Sequence, residues 1–339
     1  MAVEAPNLAS LSPILILLMA MGLNLLLGRE SVLKRTFDIP IGMTGRFLSG
    51  LQQRYNRPEY TDRMRKSDGI SSLSALILLA LILGLALEWA FNQLPYGWAP
   101  EALVVAAALV LRSHFDGARV LASTLDLGTE QGRATLALFA ARDTARLDRP
   151  GVCRAGIEIT ARTLCEGVIH PVIFYLLFGL PGLLVVRAIS VFSRAIDEYT
   201  PYGTCFGWAS GRVNRALQWP AMLITPLIVA LASLVTPGAA PLSAVQVALR
   251  DWRKHAVARD GWAFGSFAGA LRVKLGGPIA YYGQLRNTRW IGDGLGEADV
   301  AQLRKARRVF IMSTMVIALL VGALILVEGQ MPLVTGLIF

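Results

Sequence analysis

The chain has 339 residues, of which 54% are hydrophobic and only 17% charged, with a mean hydropathy of +0.52. Soluble domains carry nearer a quarter charged residues, so this composition excludes an ordinary soluble protein and points to a polytopic membrane protein. The net charge of +10 is scattered over several loops between apolar runs. That is how cytoplasmic loops are held inside, and it offers no concentrated surface for nucleic acid. Cys153, Cys165 and Cys205 form no CxxC or Cys/His ligand spacing and read as buried or inert thiols.

Residues 11–28 form the first span. Acidic Glu4 precedes it, with no basic leader and no small-residue cleavage site, so it reads as an uncleaved span. Residues 29–68 carry nine Lys/Arg against five acids, which puts this loop in the cytoplasm and the N-terminus outside. Within it, residues 40–45 predict a tight turn, followed either by an amphipathic helix at the interface or by a solvated loop. Residues 71–94 are the second span, with Glu88 and Trp89 at its outer end, where a lone carboxylate reads as interfacial. LPYGWAPE has no Lys or Arg and fits a short outside turn. Residues 102–111 are only half a span long, and the amphipathic stretch 114–127 extends them. Residues 117–149 read as cytoplasmic helix, broken at Gly128 and Gly132.

Residues 167–186 are apolar but interrupted by FGLPG. A straight crossing would leave the basic stretch 187–215 outside. A re-entrant hairpin turning at Leu180-Pro181-Gly182 keeps both flanks inside, and the charge favours it. Residues 216–235 form a span kinked by Pro220 and Pro226, and TPGAAP turns the chain. Residues 242–308 carry twelve Lys/Arg and read as cytoplasmic. The apolar stretch 241–249 is short for a return crossing, so a second hairpin or a long tilted helix is needed. Residues 309–327 are the last span. The expected fold is therefore all-α, a helical membrane bundle of four to six spans with amphipathic cytoplasmic helices. It forms one domain over residues 1–339, with 29–70, 113–166 and 250–308 mainly cytoplasmic.

The segments ARDTARL and WRKHAVARDGWAFGSFAGALRVKLGGPIAYYG, with WIGDG after them, resemble the CobD/CbiB family. More distantly, the chain is similar to AmpE-type membrane proteins. The resemblance runs over most of the chain in the same order. Arg112-Ser113 match the family's R-S. Arg142, Asp143, Thr144 and Leu147 match its G-R-D-T-x-x-L. Glu158, Gly167, Pro171 and Phe174 fall in step with its E-x-x-x-E-N-x-x-D-G-x-x-x-P-L-F. His255, Trp262, Gly269, Gly276, Gly277, Pro278, Gly283, Trp290, Gly292 and Asp293 match the end of the pattern. The resemblance implies a bacterial inner-membrane enzyme, adenosylcobinamide-phosphate synthase. Such an enzyme joins adenosylcobyric acid to an aminopropanol-type phosphate in cobalamin biosynthesis, using ATP and Mg²⁺.

The departures from that pattern are mostly polar. The family's E-N pair is Arg162-Thr163 here, and its next Asp is Glu166. Its N-T-x-D-S is replaced by the stretch starting at Ser190, its D-D pair by Asn214-Arg215, and its S-P-N by Val257-Ala258-Arg259. Oxygen-bearing groups suited to Mg²⁺ give way to Arg, Ser and Val. An arginine binds phosphate but neither holds a metal nor takes a proton.

Each remaining candidate has two readings. Asp143, Glu158, Glu166 and Asp293 are the acids an active site could still use, with Asp197 and Glu198 beside them. The plainer reading makes Glu158 and Glu166 rungs of an i,i+4 ladder with Arg154 and Arg162. Arg142, Thr144, His255, Lys274, Gly276 and Gly277 are candidates for binding substrate or phosphate. Otherwise Arg142-Asp143-Thr144 is a charged helix end with a cap, His255 is solvated, and the glycines make a turn. His170 reads as interfacial or packed. There is no Walker motif, HExxH or zinc spacing. The expectation is a catalytically degenerate member acting as an accessory, interaction or regulatory membrane subunit, with membrane lipid and other membrane-protein subunits as partners. No metal site or cofactor is expected. ATP and Mg²⁺ enter only if the chain is an active synthase.

Overall fold

The computed structural model describes residues 11–26, 50, 54, 56, 59–140, 142–196, 203–255, 258–281 and 284–328. The turn and interfacial helix expected from residue 40 onward, and the acids Asp197 and Glu198, lie outside the described residues. In chain order the helices begin with α1 (Pro13–Leu26), α2 (Asp62–Asn92), α3 (Trp98–Ala108), α4 (Arg112–Leu127), α5 (Thr129–Ala137) and α6 (Arg149–Arg162). A π-helical segment, Thr163–Ile169, leads into α7 (His170–Ala195). Then come α8 (Gly203–Phe206), α9 (Trp208–Leu234), α10 (Pro241–Asp251) and α11 (Ala258–Leu271). Four short strands follow, β1 (Leu275–Gly276), β2 (Ile279–Tyr281), β3 (Gln284–Arg286) and β4 (Trp290–Ile291), before α12 (Val300–Glu328). Four helical stretches are long and apolar enough to cross a bilayer: Asp62–Asn92, Arg149–Ala195, Trp208–Leu234 and Val300–Leu326. The protein is an all-α multi-pass membrane protein with a small β ribbon.

The described chain forms two compact units. One comprises residues 1–109, 171–214 and 318–339. In it, Thr61 caps α2 by accepting the N–H of Met64. One face of α2 is buried along Gly69, Leu73, Leu76, Ala80 and Gly84, while Leu78, Leu79, Ile82, Leu83 and Leu85 stay exposed. An apolar helix left bare on most of its surface suits lipid, not water. Asn24 of α1 donates from its amide nitrogen to the carbonyls of Ala106 and Leu109, closing the end of α3.

The same unit holds the interruption in α7. Helical geometry fails at Phe178 and Gly179, where Gly179 has φ +59° and ψ −152°. A Cβ on Gly182 would lie 2.9 Å from the carbonyl oxygen of Phe174. Residues eight apart in a straight helix are separated by about 12 Å, so the chain here doubles back. This is the hairpin geometry that the charge favoured, turning at Phe178–Gly179, just before the Leu180-Pro181-Gly182 expected. Gly84 and Glu88 of α2 pack against the turn, at Pro181 and Gly179 respectively. Tyr175 donates its hydroxyl to Glu101 at 2.7 Å. Glu88 is therefore a packing residue at the hairpin.

The other unit comprises residues 110–170 and 215–317. Asp148 caps α6 by accepting the Gly151 N–H at 2.8 Å, with Pro150 in the first turn. Helix α5 passes through Gly132 without a break, and Gly128 alone separates it from α4. Helix α10 is only 11 residues long. It lies against α11, whose Gly265 and Gly269 meet the backbone of Ala248 and Ser243. Of the two arrangements expected after residue 241, the long tilted helix does not form: small residues let α10 turn at once onto α11, and the two helices make a tight antiparallel hairpin. Strand β1 pairs antiparallel with β4, and β2 with β3.

Candidate functional site

Among the sequence-selected residues, one group comes together, around Glu158. This carboxylate is 4% exposed. Its Oε2 accepts from the Arg142 guanidinium at 2.8 Å, and its Oε1 accepts the Gly276 N–H at 2.8 Å. The Asp143 N–H donates to the carbonyl of Ala280 at 3.0 Å, and Thr144 is buried beside it in sequence. The loop from Arg142 is thus fastened to α6 and to the β ribbon at once.

The glycines of that ribbon have left-handed backbones, with φ +76° at Gly276 and +78° at Gly277. A side chain at Gly277 would run into the Trp290 ring at 2.6 Å. Only glycine fits such a position. Thr288 donates its hydroxyl to the Gly277 carbonyl, and Arg154 lies over Trp290 with its guanidinium 5.1 Å from the ring centroid. Lys274 is half-buried, and its N–H donates to Leu295 at 2.9 Å.

A second group lies along the π-helical segment. Glu166 is 1% exposed and accepts from the Gln218 amide at 3.2 Å. One turn earlier, Arg162 makes a two-pronged pair with Asp260, both contacts at 3.0 Å. Its guanidinium also faces the ring of Phe264 at 5.6 Å. His255 packs edge-on against Phe264 at 5.2 Å, with its Nδ1 4.0 Å from Asp260. Arg162, Cys165, Glu166, Gln218, Asp260 and Ala263 line one small recess.

The ladder of alternating charges along α6 does not form. Glu158 turns to Arg142, Arg162 to Asp260, Glu166 to Gln218, and Arg154 to the carbonyl of Gly296. A two-pronged arginine–carboxylate pair with one partner buried outweighs an exposed i,i+4 pair. Glu158 and Glu166 do not meet either, since eight residues of helix put about 12 Å of axial rise between them. His255 is 7% exposed, so it is a core residue and not a solvated one. Asp293 stays outside both groups, on the surface, where it pairs with Arg250.

Three residues with central roles escape sequence reading: Asp260, Gln218 and Asp251. Asp251 is fully buried, and it accepts from Arg250, Lys254 and the N–H of Gly292. Burial alone would raise its carboxyl. The hydrogen bonds from Arg250, Lys254 and Gly292 outweigh that and hold it well below the usual carboxylate range. It tethers the start of the WIGDG loop. The one available signal was its spacing from Lys254, i to i+3.

The family model described as CobD/Cbib protein matches residues 17–310. The chain belongs to the CobD/CbiB family. Its similarity to the Cobalamin biosynthesis protein CobD of a Sinorhizobium species is 34% identity over 273 residues, covering 80% of this chain and 84% of that one. With the protein of the same name from Rhizobium meliloti (strain 1021), identity is 32% over 301 residues, covering 88% and 92%. With that of Rhodobacter capsulatus it is 30% over 313 residues, covering 89% and 96%. No solved structure matches. Within this CobD/CbiB chain, the positions that depart from the family pattern have found partners of their own. Arg162 holds Asp260, and Ser190 donates its hydroxyl to Asn214 at 3.3 Å inside the core. Among the described residues, no three His, Cys, Asp or Glu side chains gather in a way that would hold a metal ion.

Proposed function

We propose that this chain keeps the CobD/CbiB scaffold without its amide-forming chemistry, and serves as an accessory membrane subunit. One observation carries the reading: the fork between Arg162 and Asp260. The family pattern has a Glu-Asn pair where this chain has Arg162-Thr163. A carboxylate and a carboxamide there would offer oxygens to Mg²⁺ and to an amine. Arg162 reverses the charge, and its guanidinium is occupied by the buried Asp260 carboxylate.

The other acids support the same reading. Glu158 is held by Arg142 and Gly276, Glu166 by Gln218, and Asp293 by Arg250. Phosphoryl transfer needs acids free to organise a metal–phosphate charge. These residues do not fit a Mg²⁺–ATP site. The basic loops at residues 29–70 and 250–308 support insertion in a cytoplasmic membrane with the N-terminus outside.

The test is amide synthesis by the purified protein supplied with adenosylcobyric acid, an aminopropanol-type phosphate, ATP and Mg²⁺. A relative with the acidic motifs intact runs beside it. No product from this chain, while the relative turns over, is the expected result. Product at a comparable rate would overturn the reading. If none forms, co-purification in mild detergent is the way to the partner subunit.

A further inference from the structure

Where the apolar run of α12 begins, its last arginines meet the start of α4. The Arg307 guanidinium lies 4.2 Å from the centroid of the Phe115 ring, and the Arg112 guanidinium 5.9 Å from the same centroid. One ring therefore faces two cations. Arg112 also pairs with Asp116 at 2.9 Å. Arg119 and Arg308 are exposed, and both stand near enough for their charges to act on Arg307, as does Asp116. The Nε of Arg307 is buried and has no hydrogen-bond partner among the described residues. His114 adds no charge. Its Nε2 is inaccessible, its ring packs on Phe310 at 4.9 Å, and burial pushes its imidazole down to about 4.

Among the described residues, four guanidiniums stand against one carboxylate here, a local excess of positive charge fixed on two helices. Like charges so placed repel unless an anion joins them. We propose that this cluster binds the phosphate of an anionic phospholipid headgroup. Guanidinium forks match phosphate oxygens two at a time. The position selects the lipid over a soluble phosphate. Arg307 and Arg308 immediately precede Val309, where the apolar run starts, so a phosphate held there sits at the edge of the bilayer. Met315, seven residues beyond Arg308 and so on the same helix face, is 52% exposed and offers an apolar path for an acyl chain. Basic clusters at the cytoplasmic boundary of membrane helices attract anionic headgroups by this chemistry.

The test is native mass spectrometry of the full chain in neutral detergent. It is titrated with phosphatidylglycerol or with phosphatidylcholine. Phosphatidylglycerol is expected to bind preferentially. The R307Q/R308Q variant should lose about five-fold in affinity for each arginine removed, and D116N should gain about five-fold. Equal binding of the two lipids, or wild-type affinity in R307Q/R308Q, would overturn the proposal. Displacement of phosphatidylglycerol by low-millimolar inorganic phosphate would assign the site to a soluble anion and also overturn it. Should R307Q/R308Q fail to fold, D116N decides: tighter binding upholds the site and unchanged binding sinks it.

Discussion

Glu158 is a single buried carboxylate whose partners come from elsewhere in the chain. It joins three separate stretches: α6 that carries it, the loop at Arg142, and the first strand at Gly276. Removing water from such a pair costs several kcal/mol per ion, so the pair itself is weak evidence of net stability. Breaking it on one side is another matter, because the remaining charge stays buried. Arg142→Ala is therefore expected to destabilise the protein by about 3 kcal/mol, and Glu158→Gln by less, since the glutamine still accepts from Gly276. Thermal unfolding in detergent measures the difference, and equal losses in the two variants would contradict this account. Arg142 and Glu158 could each be picked out from the chain as chemically interesting. Their pairing could not, because sixteen residues and a loop separate them and no spacing rule reaches across.

At the scale of elements, the chain declares its helices plainly and its irregularities only partly. Asp148 followed by Pro150 announces the start of α6, and the apolar runs announce α2, α9 and α12. The hairpin in α7 was legible because two signals coincide, a glycine–proline interruption and basic flanks that must stay on one side. The charge ladder on α6 misled because i,i+4 spacing records what is near along a helix and is blind to Asp260, far along the chain. The β ribbon left no trace in periodicity, since strands of two or three residues are too short to show any. The hairpin also makes a sharp demand. Gly179 occupies a backbone region essentially closed to other residues, and a Cβ there would approach the Glu88 carboxylate at 2.9 Å. Gly179→Ala is expected to cost about 1–3 kcal/mol. Pairing it with Glu88→Ala should recover only the steric part, which the melting temperatures of the single and double variants will separate.

At the scale of the whole molecule, the spread of Lys and Arg makes the sidedness of the turns testable. The turn at residues 93–97 follows α2 and carries no Lys or Arg. If basic loops stay inside, a single cysteine at residue 97, in a chain lacking its native cysteines, should react with an impermeant maleimide in intact cells. Protection of residue 97 until the cells are permeabilised would contradict that placement, which the residues of the turn do not themselves record. The class of the molecule, by contrast, was written in its composition, because the bilayer constrains every span in the same way.

The π-helical segment Thr163–Ile169 has a consequence for how this chain tolerates change in length. An i→i+5 ladder closes one more residue per hydrogen bond than an α-helix does. The segment therefore acts as a phase adjuster, absorbing a surplus residue so that the side chains on either side keep their headings. Here the surplus is also put to use, since the Gly167 carbonyl accepts the Val110 N–H at 3.1 Å across the gap between α3 and α4. Losing one residue from this segment would let the helix return to ordinary winding with both flanks still in phase. An equal loss from the regular helix on either side would swing every later side chain about 100° around the axis. Of these stretches, the bulged one is where the chain can shed a residue without turning its neighbours away from their partners.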